Sequence, residues 1–426
     1  MDTGPAAESA TSTKTVAVIG AGLTGLLAAH GLKKHGFRAV VFERDAGLEA
    51  RPRDWSMLVH WARPVFESLL PGDVLAELPS ALCNPYLGAG ELEAAESLPC
   101  YSGTDGRLLF RSATPGARRV SRRALRRLLA RHVDVRWGCA LERLEVTADD
   151  GHVRLAFRRA DGKDAGDVDG GGGGEEEEMA FRADFVLGAD GSASAVRRLL
   201  LRSDDDARPR PSGYVMATGI ARYGDEAQVR AVVETHPVAA LMMGGGAVGG
   251  IGTLAVDDPH DLSTWTTFWV KIWRASSPRL RGAEALRFVR DRTSPLLGVF
   301  QSAIDWTADD SQVYIDEMKY WVPVPWDNHG GRVTLAGDAA HPMLIYRGQG
   351  LQHAIVDVQR YVAGLVRLRA SGGDEERSAV MGAYDDELVA RGAAAVRQSL
   401  DEADKSLTVD AIRTMRMATQ GHGQSA

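Results

Sequence analysis

Gly20, Gly22 and Gly25 in "VIGAGLTG" stand at the spacing G-x-G-x-x-G, and an acid, Glu43, follows at the end of "AVVFE". In such a pattern the first glycine permits a tight turn and the second lets backbone approach a pyrophosphate. The third allows a helix to pack closely on a strand. Free N–H groups and the positive end of the helix dipole then face the phosphates. A carboxylate at Glu43 can accept from both ribose hydroxyls and repels a 2′-phosphate, which favours FAD or NAD over NADP at this site.

Two further acids stand where apolar runs end. Asp190 follows "FVLGA" and leads through Gly191 into "SASAVRRLL". Asp338 follows "VTLAG" and leads through "AAHPMLIY" to "RGQG", which contains Arg347, Gly348 and Gly350. Ligands of open α/β sheets bind at the carboxyl ends of the strands, so each acid is a candidate acceptor for a sugar or ribitol hydroxyl. Each also has a plainer reading, as the cap of a strand-to-helix turn. The N–H groups of residues 348–352 would open the next helix and could stabilise charge developing on a ligand. A second G-x-G-x-x-G, "GGGAVG" at residues 244–249, lacks a following helix pattern and reads as a glycine-rich hairpin.

These residues need elements to hold them. "TVAVI" and "AVVFE" are short apolar runs of the kind that form buried strands, with an amphipathic helix over about residues 24–35 between them. This is a βαβ opening. Residues 121–132 form a helix rich in arginine; Arg123, Arg126, Arg127 and Arg131 read as its solvated face. From about 214 to 325 the pattern becomes antiparallel strands with one helix near 283–291, and Trp265, Trp269 and Trp273 recur there at intervals of four. Such spacing puts all three on one face of a strand. They are either core or an aromatic wall for a flat substrate. A helix over about 350–369 and helical material over 381–417 close the chain.

The expected fold is α/β: a Rossmann-like dinucleotide-binding domain with an inserted antiparallel β-sheet domain and C-terminal helices. The division is a tail (1–13), a dinucleotide-binding part (14–80, 108–210 and 330–370), which the resemblance named below makes the FAD-binding domain, an inserted part (81–107 and 211–329), which it makes the substrate domain, and a C-terminal helical segment (371–426). The stretch 160–178, "ADGKDAGDVDGGGGGEEEE", is low-complexity and expected to be a surface loop.

Composition bounds the function. The 426 residues carry a net charge of −7, which argues against nucleic acid as a partner. Three unpatterned cysteines, Cys83, Cys100 and Cys139, suggest neither disulfides nor a metal site, and suit the cytoplasm. The polar start has no secretory pattern, and no apolar run is long enough to span a membrane.

In "GAGLTG…FERD", "GADGSASAVR" and "AGDAAHPMLIYRGQG" the chain resembles the single-component FAD-dependent aromatic hydroxylases, the para-hydroxybenzoate and salicylate hydroxylase group, and among them the fungal secondary-metabolism monooxygenases. The three motifs span nearly the whole chain. The resemblance implies that Gly20, Gly22, Gly25 and Glu43 hold the ADP half of FAD. It implies that Asp190 and Gly191 meet the diphosphate region and bear on nicotinamide binding. Asp338 would meet the ribitol or pyrophosphate, and Gly348, Gly350 and Leu351 the isoalloxazine ring. Arg122 matches the family's R-x-x-L-x-x-x-L helix start near FAD, with Leu125 and Leu129. His60 and Trp61 fall in a region that lines the flavin in relatives. Ile345 stands where many relatives carry proline. His60, Trp61, Ile345 and Arg347 are thus the candidate catalytic residues, and no base is singled out; His341 reads as structural.

The implied reaction uses NADPH or NADH as a transient co-substrate and hydroxylates an aromatic small molecule with O2 through a flavin C4a-hydroperoxide. Epoxidation and Baeyer–Villiger oxidation by the same peroxide are the alternatives, followed by a flavin-binding protein without turnover. The W-x-W-x-I-P stretch of flavin halogenases has no counterpart in "WVKIWRAS".

Overall fold

The computed structural model describes residues 13–146, 151–159, 178–276, 278–371 and 373–423. The expected tail, apart from Thr13, and the low-complexity stretch 160–178, apart from Glu178, lie outside the described residues.

The first apolar run becomes β1 (Thr15–Ile19) at the centre of a five-stranded parallel sheet. Its neighbours are β2 (Arg38–Glu43) on one side and β11 (Phe185–Gly188) on the other. Beyond them lie β7 (Asp134–Trp137) and β17 (Val333–Leu335), giving the order β17-β11-β1-β2-β7. Strands covered on both faces read as continuous apolar runs, as β1 and β2 do. The chain leaves β1 towards β2 on one side and returns to β11 on the other. The crevice at the carboxyl ends of β1 and β11 is therefore the topological switch point, where such sheets bind ligands. The helix Leu23–Lys34 and the long helix Gln349–Ser371 pack together beside this sheet.

A three-stranded sheet, β8 (Cys139–Val146), β9 (Val153–Arg159) and β10 (Glu178–Ala183), seals one side through Phe157, which stacks on Phe42 of β2 at 4.2 Å.

The antiparallel region forms a seven-stranded sheet in the order β16-β12-β15-β14-β13-β4-β5. Its strands are β4 (Ser97–Ser102), β5 (Leu108–Ala113), β12 (Arg210–Ala221), β13 (Ala239–Met243), β14 (Ala247–Ala255), β15 (Thr266–Arg274) and β16 (Gln312–Tyr320). "GGGAVG" is the β13–β14 hairpin, and Gly244, Gly245 and Gly246 all have positive φ there. The expected boundary at residue 107 falls inside the β4–β5 hairpin. Residues 108–113 thus belong to this sheet, because β5 pairs with β4 and not with the parallel strands.

The two faces of this sheet differ. The outer face carries Val215, Ala217, Ile251, Val313 and Ile315, covered by the helices Glu226–Thr235, Gly282–Arg292 and Val299–Asp305. The inner face carries Tyr214, Val248, Ile272 and Met318, which meet Leu344 and Tyr346 of the third motif. Phe268 and Leu254 of the same face meet Leu58 of β3 (Ser56–Val59). That strand pairs with β6 (Arg118–Ser121) in a small ribbon between the two large sheets.

The C-terminal helix is longer than expected at its start and shorter at its end, Asp374–Lys405. Short helices follow, and the chain folds back so that His422 is buried.

Candidate functional site

The glycine turn has a different reason at each position. Gly20 has φ +108°, and a Cβ there would lie 2.5 Å from Ala189 O. At Gly25 a Cβ would lie 2.0 Å from Gly20 O. Gly22 is the opposite case, since a Cβ would meet nothing within 4 Å. It caps a helix with no side-chain cap and no acid in its first turn, so the helix N-terminus faces open space. Glu43 accepts from Ala21 N–H at 2.8 Å through Oε2 and from Asp45 N–H at 3.0 Å through Oε1. It holds the turn in place, and each oxygen keeps a second lone pair for a ligand.

Arg126 corrects the expectation of a solvated arginine face. It is 5% exposed, donates from Nε to Ala21 O at 2.8 Å and from Nη1 to Leu48 O at 3.1 Å, and lies over Trp137. Arg123, Arg127 and Arg131 do remain at the surface, paired with Glu49 or Glu77.

The carboxylate of Asp190 is occupied locally. It accepts from the Ser194 hydroxyl and from the N–H groups of Ala195 (2.6 Å) and Val196 (3.3 Å), capping the helix Ala195–Leu201. Gly191, with φ +82° and nothing within 4 Å of a Cβ, is the open part of this turn. Arg197, not singled out from sequence, is fully buried. It donates to Ala207 O at 2.8 Å and Ala339 O at 2.7 Å, and lies over Trp321. Burial pulls its pKa down to about 10, against the attraction of Asp190. This arginine ties the second motif to the third.

Asp338 is exposed, with Gly337 and Ala339 buried on either side of it. Desolvation pushes its carboxyl pKa up, against the pull of His341, Arg122 and Arg197. Its carboxylate has no hydrogen bond or ion pair among the described residues. Arg122 is likewise free of both; its guanidinium stacks on Trp55 at 4.5 Å. The turn before Asp338 is held by Asp357, which accepts from Gly337 N–H (2.8 Å), His341 Nε2 (2.7 Å) and Arg391 (2.6 Å). His341 is thus structural, as expected. The first and third motifs touch directly, since a Cβ on Gly337 would lie 2.6 Å from Thr24 Oγ1.

Past the turn, Gly348 has φ +58°, and its nearest neighbour beyond the chain itself is His60 Nε2, 3.8 Å from a built Cβ. A Cβ on Gly350 would be 4.0 Å from Asp338 Oδ1. Leu351 is half-buried and Ile345 is 49% exposed.

Three of the candidate catalytic residues hold this loop in place. His60 is 3% exposed. Its ring bonds to Gly348 O at 3.3 Å, and its N–H donates to Gln352 Oε1 at 3.1 Å. Burial pulls its pKa down to about 4. Trp61 Nε1–H donates to Gln349 Oε1 at 2.9 Å. Arg347, in the left-handed region at φ +62° and buried, donates to Gly421 O (3.1 Å) and Gly423 O (2.8 Å). It is a clasp for the chain's end rather than a group aimed at the cleft. Gln352, fully buried, also donates to Leu58 O at 2.7 Å and pins the ribbon to the loop.

The tryptophans belong to the core. Trp269 is 1% exposed on the outer face, its Nε1–H donating to Thr307 Oγ1 at 2.9 Å. Its cross-strand partner Gly219 leaves room for the indole. Trp273 packs in the same outer cluster, and Trp265 is 6% exposed with its N–H on Asp258 O. Period two put Trp269 and Trp273 on one face, but it was the face turned from the cleft, and Trp265 lies just before the strand. Trp269→Leu is expected to cost about 3 kcal/mol of stability by chemical unfolding. Ligand affinity of the folded protein should change by less than about twofold, a difference of under half a kcal/mol.

The cleft's residues fit a flavin dinucleotide: an unpartnered cation (Arg122), an unpartnered carboxylate (Asp338) and glycines open where a pyrophosphate needs backbone N–H groups. Comparison with known proteins agrees. Residues 18–54 match the NAD(P)-binding Rossmann-like domain family. The chain is 32% identical to the FAD-dependent monooxygenase phnB of Penicillium herquei, over 91% of this chain and 89% of that protein. It is 31% identical to the FAD-dependent monooxygenase cctM of Talaromyces islandicus, over 92% of each. The fold matches that of Klebsiella pneumoniae HpxO, solved with FAD and uric acid, with a TM-score of 0.68 at 20% identity, over 97% of this chain and 93% of that one.

Proposed function

The chain belongs to the FAD-dependent monooxygenases, and on that premise we propose that it hydroxylates an aromatic or polycyclic small molecule with NAD(P)H and O2, in secondary metabolism. The observation that carries this reading is the meeting of three distant motifs around Arg122 and Asp338, with the inner face of the seven-stranded sheet nearby.

FAD held here would supply the redox chemistry that couples oxidation of NAD(P)H to the transfer of one oxygen atom of O2 to the substrate, the other leaving as water. The protein's part is to bind, orient and shield. In our reading Gly20, Gly22, Gly25 and Glu43 hold the ADP half, and Arg122 and Gly191 meet the diphosphate. Asp338 takes ribitol hydroxyls, and the N–H groups of Gly348, Gly350 and Leu351 face the ring's pyrimidine edge. Asp190 acts through the helix it caps. His60 and Trp61 act by holding the loop, and we assign no catalytic base. The parallel-sheet segments form the flavin-binding part, and the seven-stranded sheet, with residues 108–113, forms the substrate part. The cytoplasmic reading rests on three buried free thiols. No helix among the described residues is long and apolar enough to cross a membrane.

Anaerobic mixing of the purified yellow protein with NADPH or NADH, in the presence of aromatic substrates, tests this. Bleaching of the flavin band supports the reading; a flavin that stays oxidised with every substrate rejects it.

Ile345 supports a second measurement. Its φ of −71° suits proline, and no hydrogen bond runs from its N–H among the described residues. Ile345→Pro is expected to leave FAD affinity within about twofold, as the substitution breaks no bond. It should change the fraction of NAD(P)H oxidised without product. A change in FAD retention alone would make Ile345 a packing residue.

A further inference from the structure

In the β3–β6 ribbon Ser56 pairs with Ser121 and Leu58 with Arg119, so Ser56, Leu58 and Arg119 share one face. The other face, with Met57, Val59 and Val120, packs into the core of the parallel sheet. Arg119 is thereby turned to the inner face of the seven-stranded sheet, where its guanidinium lies 5.0 Å from the Phe268 ring. Its Nε donates to Ser56 Oγ at 3.0 Å. That is its whole set of side-chain hydrogen bonds among the described residues, and it has no ion pair there.

Nearby Arg53 is the contrast, since it bonds to Asp316 at 2.5 Å and to Thr218 at 3.2 Å. A cation drawn into protein is ordinarily paired. Around Arg119 no carboxylate does this. Burial pulls its pKa down, and only the Cys83 thiol acts in the other direction. Yet its side chain is not sealed in, being half-buried with its two terminal nitrogens unspent. It sits close to the loop of the third motif. Leu58, opposite it, is two residues from His60, whose ring bonds to Gly348 O. At about 3.3 Å per residue that is about 7 Å along the strand.

We propose that Arg119 anchors an anionic oxygen group of the substrate, a carboxylate or an ionised phenol, carried on an aromatic ring. The proposal rests on reading the cleft as the substrate site of a hydroxylase. The planar guanidinium can give such a group two parallel, charge-assisted hydrogen bonds.

The test is a binding titration on the FAD-loaded enzyme, without nicotinamide, read by flavin and protein fluorescence. The probes are naphthoate, naphthol above its pKa, and neutral naphthamide. Wild type should bind one of the anions at least about tenfold more tightly than the amide, as a charged hydrogen bond gives. Which anion is preferred identifies the group. Arg119→Met should bring anion and amide within about twofold of each other, with FAD content and amide affinity kept. If the methionine variant loses its FAD, Arg119→Lys decides: it keeps the charge but not the fork, so the preference must fall while amide affinity holds. The proposal is overturned if wild type shows no preference, or binds neither anion below about 1 mM. It is also overturned if Arg119→Met keeps the preference, or if the deciding variant loses all probes equally. Acid binding through Arg119 in a protein whose flavin never bleaches would reject the hydroxylase reading and leave this one standing.

Discussion

Gly22→Ala is expected to fold and yet fail to hold FAD. The position has an ordinary φ of −79°, and a Cβ there meets nothing within 4 Å, so the substitution strains nothing in the protein alone. Its cost to the apoprotein is the weaker N-cap, at most about 1 kcal/mol. The cost to FAD is larger, because the methyl group occupies the space in which backbone must approach the pyrophosphate. Losing even one charge-assisted N–H contact to phosphate weakens binding by roughly tenfold to a hundredfold. Gly20→Ala is the control. It needs φ +108° and places a Cβ against Ala189 O, so stability itself should fall. Apoprotein unfolding and FAD titration separate the two. Equal FAD affinity in Gly22→Ala and wild type would remove the cofactor from this turn.

Asp357→Asn is expected to give the largest loss of stability, about 3–5 kcal/mol, as is usual when one partner of a buried ion pair is removed. Asp357 is fully buried and accepts from Gly337, His341 and Arg391. Burial alone would raise its pKa, but His341 and Arg391 hold it well below the usual carboxylate range. A folded pKa below the unfolded value of 3.8 means that the contribution is complete above that pH and lost as pH falls through and below it. The gap between wild type and variant should therefore be full near neutral pH and shrink below about pH 4. Urea unfolding across pH measures it. The same change should weaken FAD binding, because Asp357 holds the turn that presents Asp338.

Much of the cleft was legible because its motifs are local. A glycine turn between an apolar strand and a helix depends on a few consecutive residues, and so do the acids at Asp190 and Asp338. What fastens the motifs to one another was not legible. Arg126 reaches Ala21, Arg197 reaches Ala339, and Gln352 reaches Leu58 across 105, 142 and 294 positions. An arginine on a helix carries no local mark of such a bond, so Arg126 read as part of a charged face. Strand alternation placed Trp269 and Trp273 together, but which face is core depends on the helices that cover it. Arg347 stood in the motif and looked chemical; among its partners are the carbonyls of Gly421 and Gly423, which no spacing reveals. The β3–β6 ribbon escaped notice because its strands are only four residues long and half of β6 is arginine.

The most direct test of the central claim is the fate of oxygen. Holoenzyme, NAD(P)H and a panel of aromatic acids and phenols are incubated under isotopically heavy O2, and products are weighed by mass spectrometry. A monooxygenase gives a product carrying one heavy oxygen atom, with one NAD(P)H consumed for each coupled turnover. A product whose new oxygen comes from water would contradict the claim.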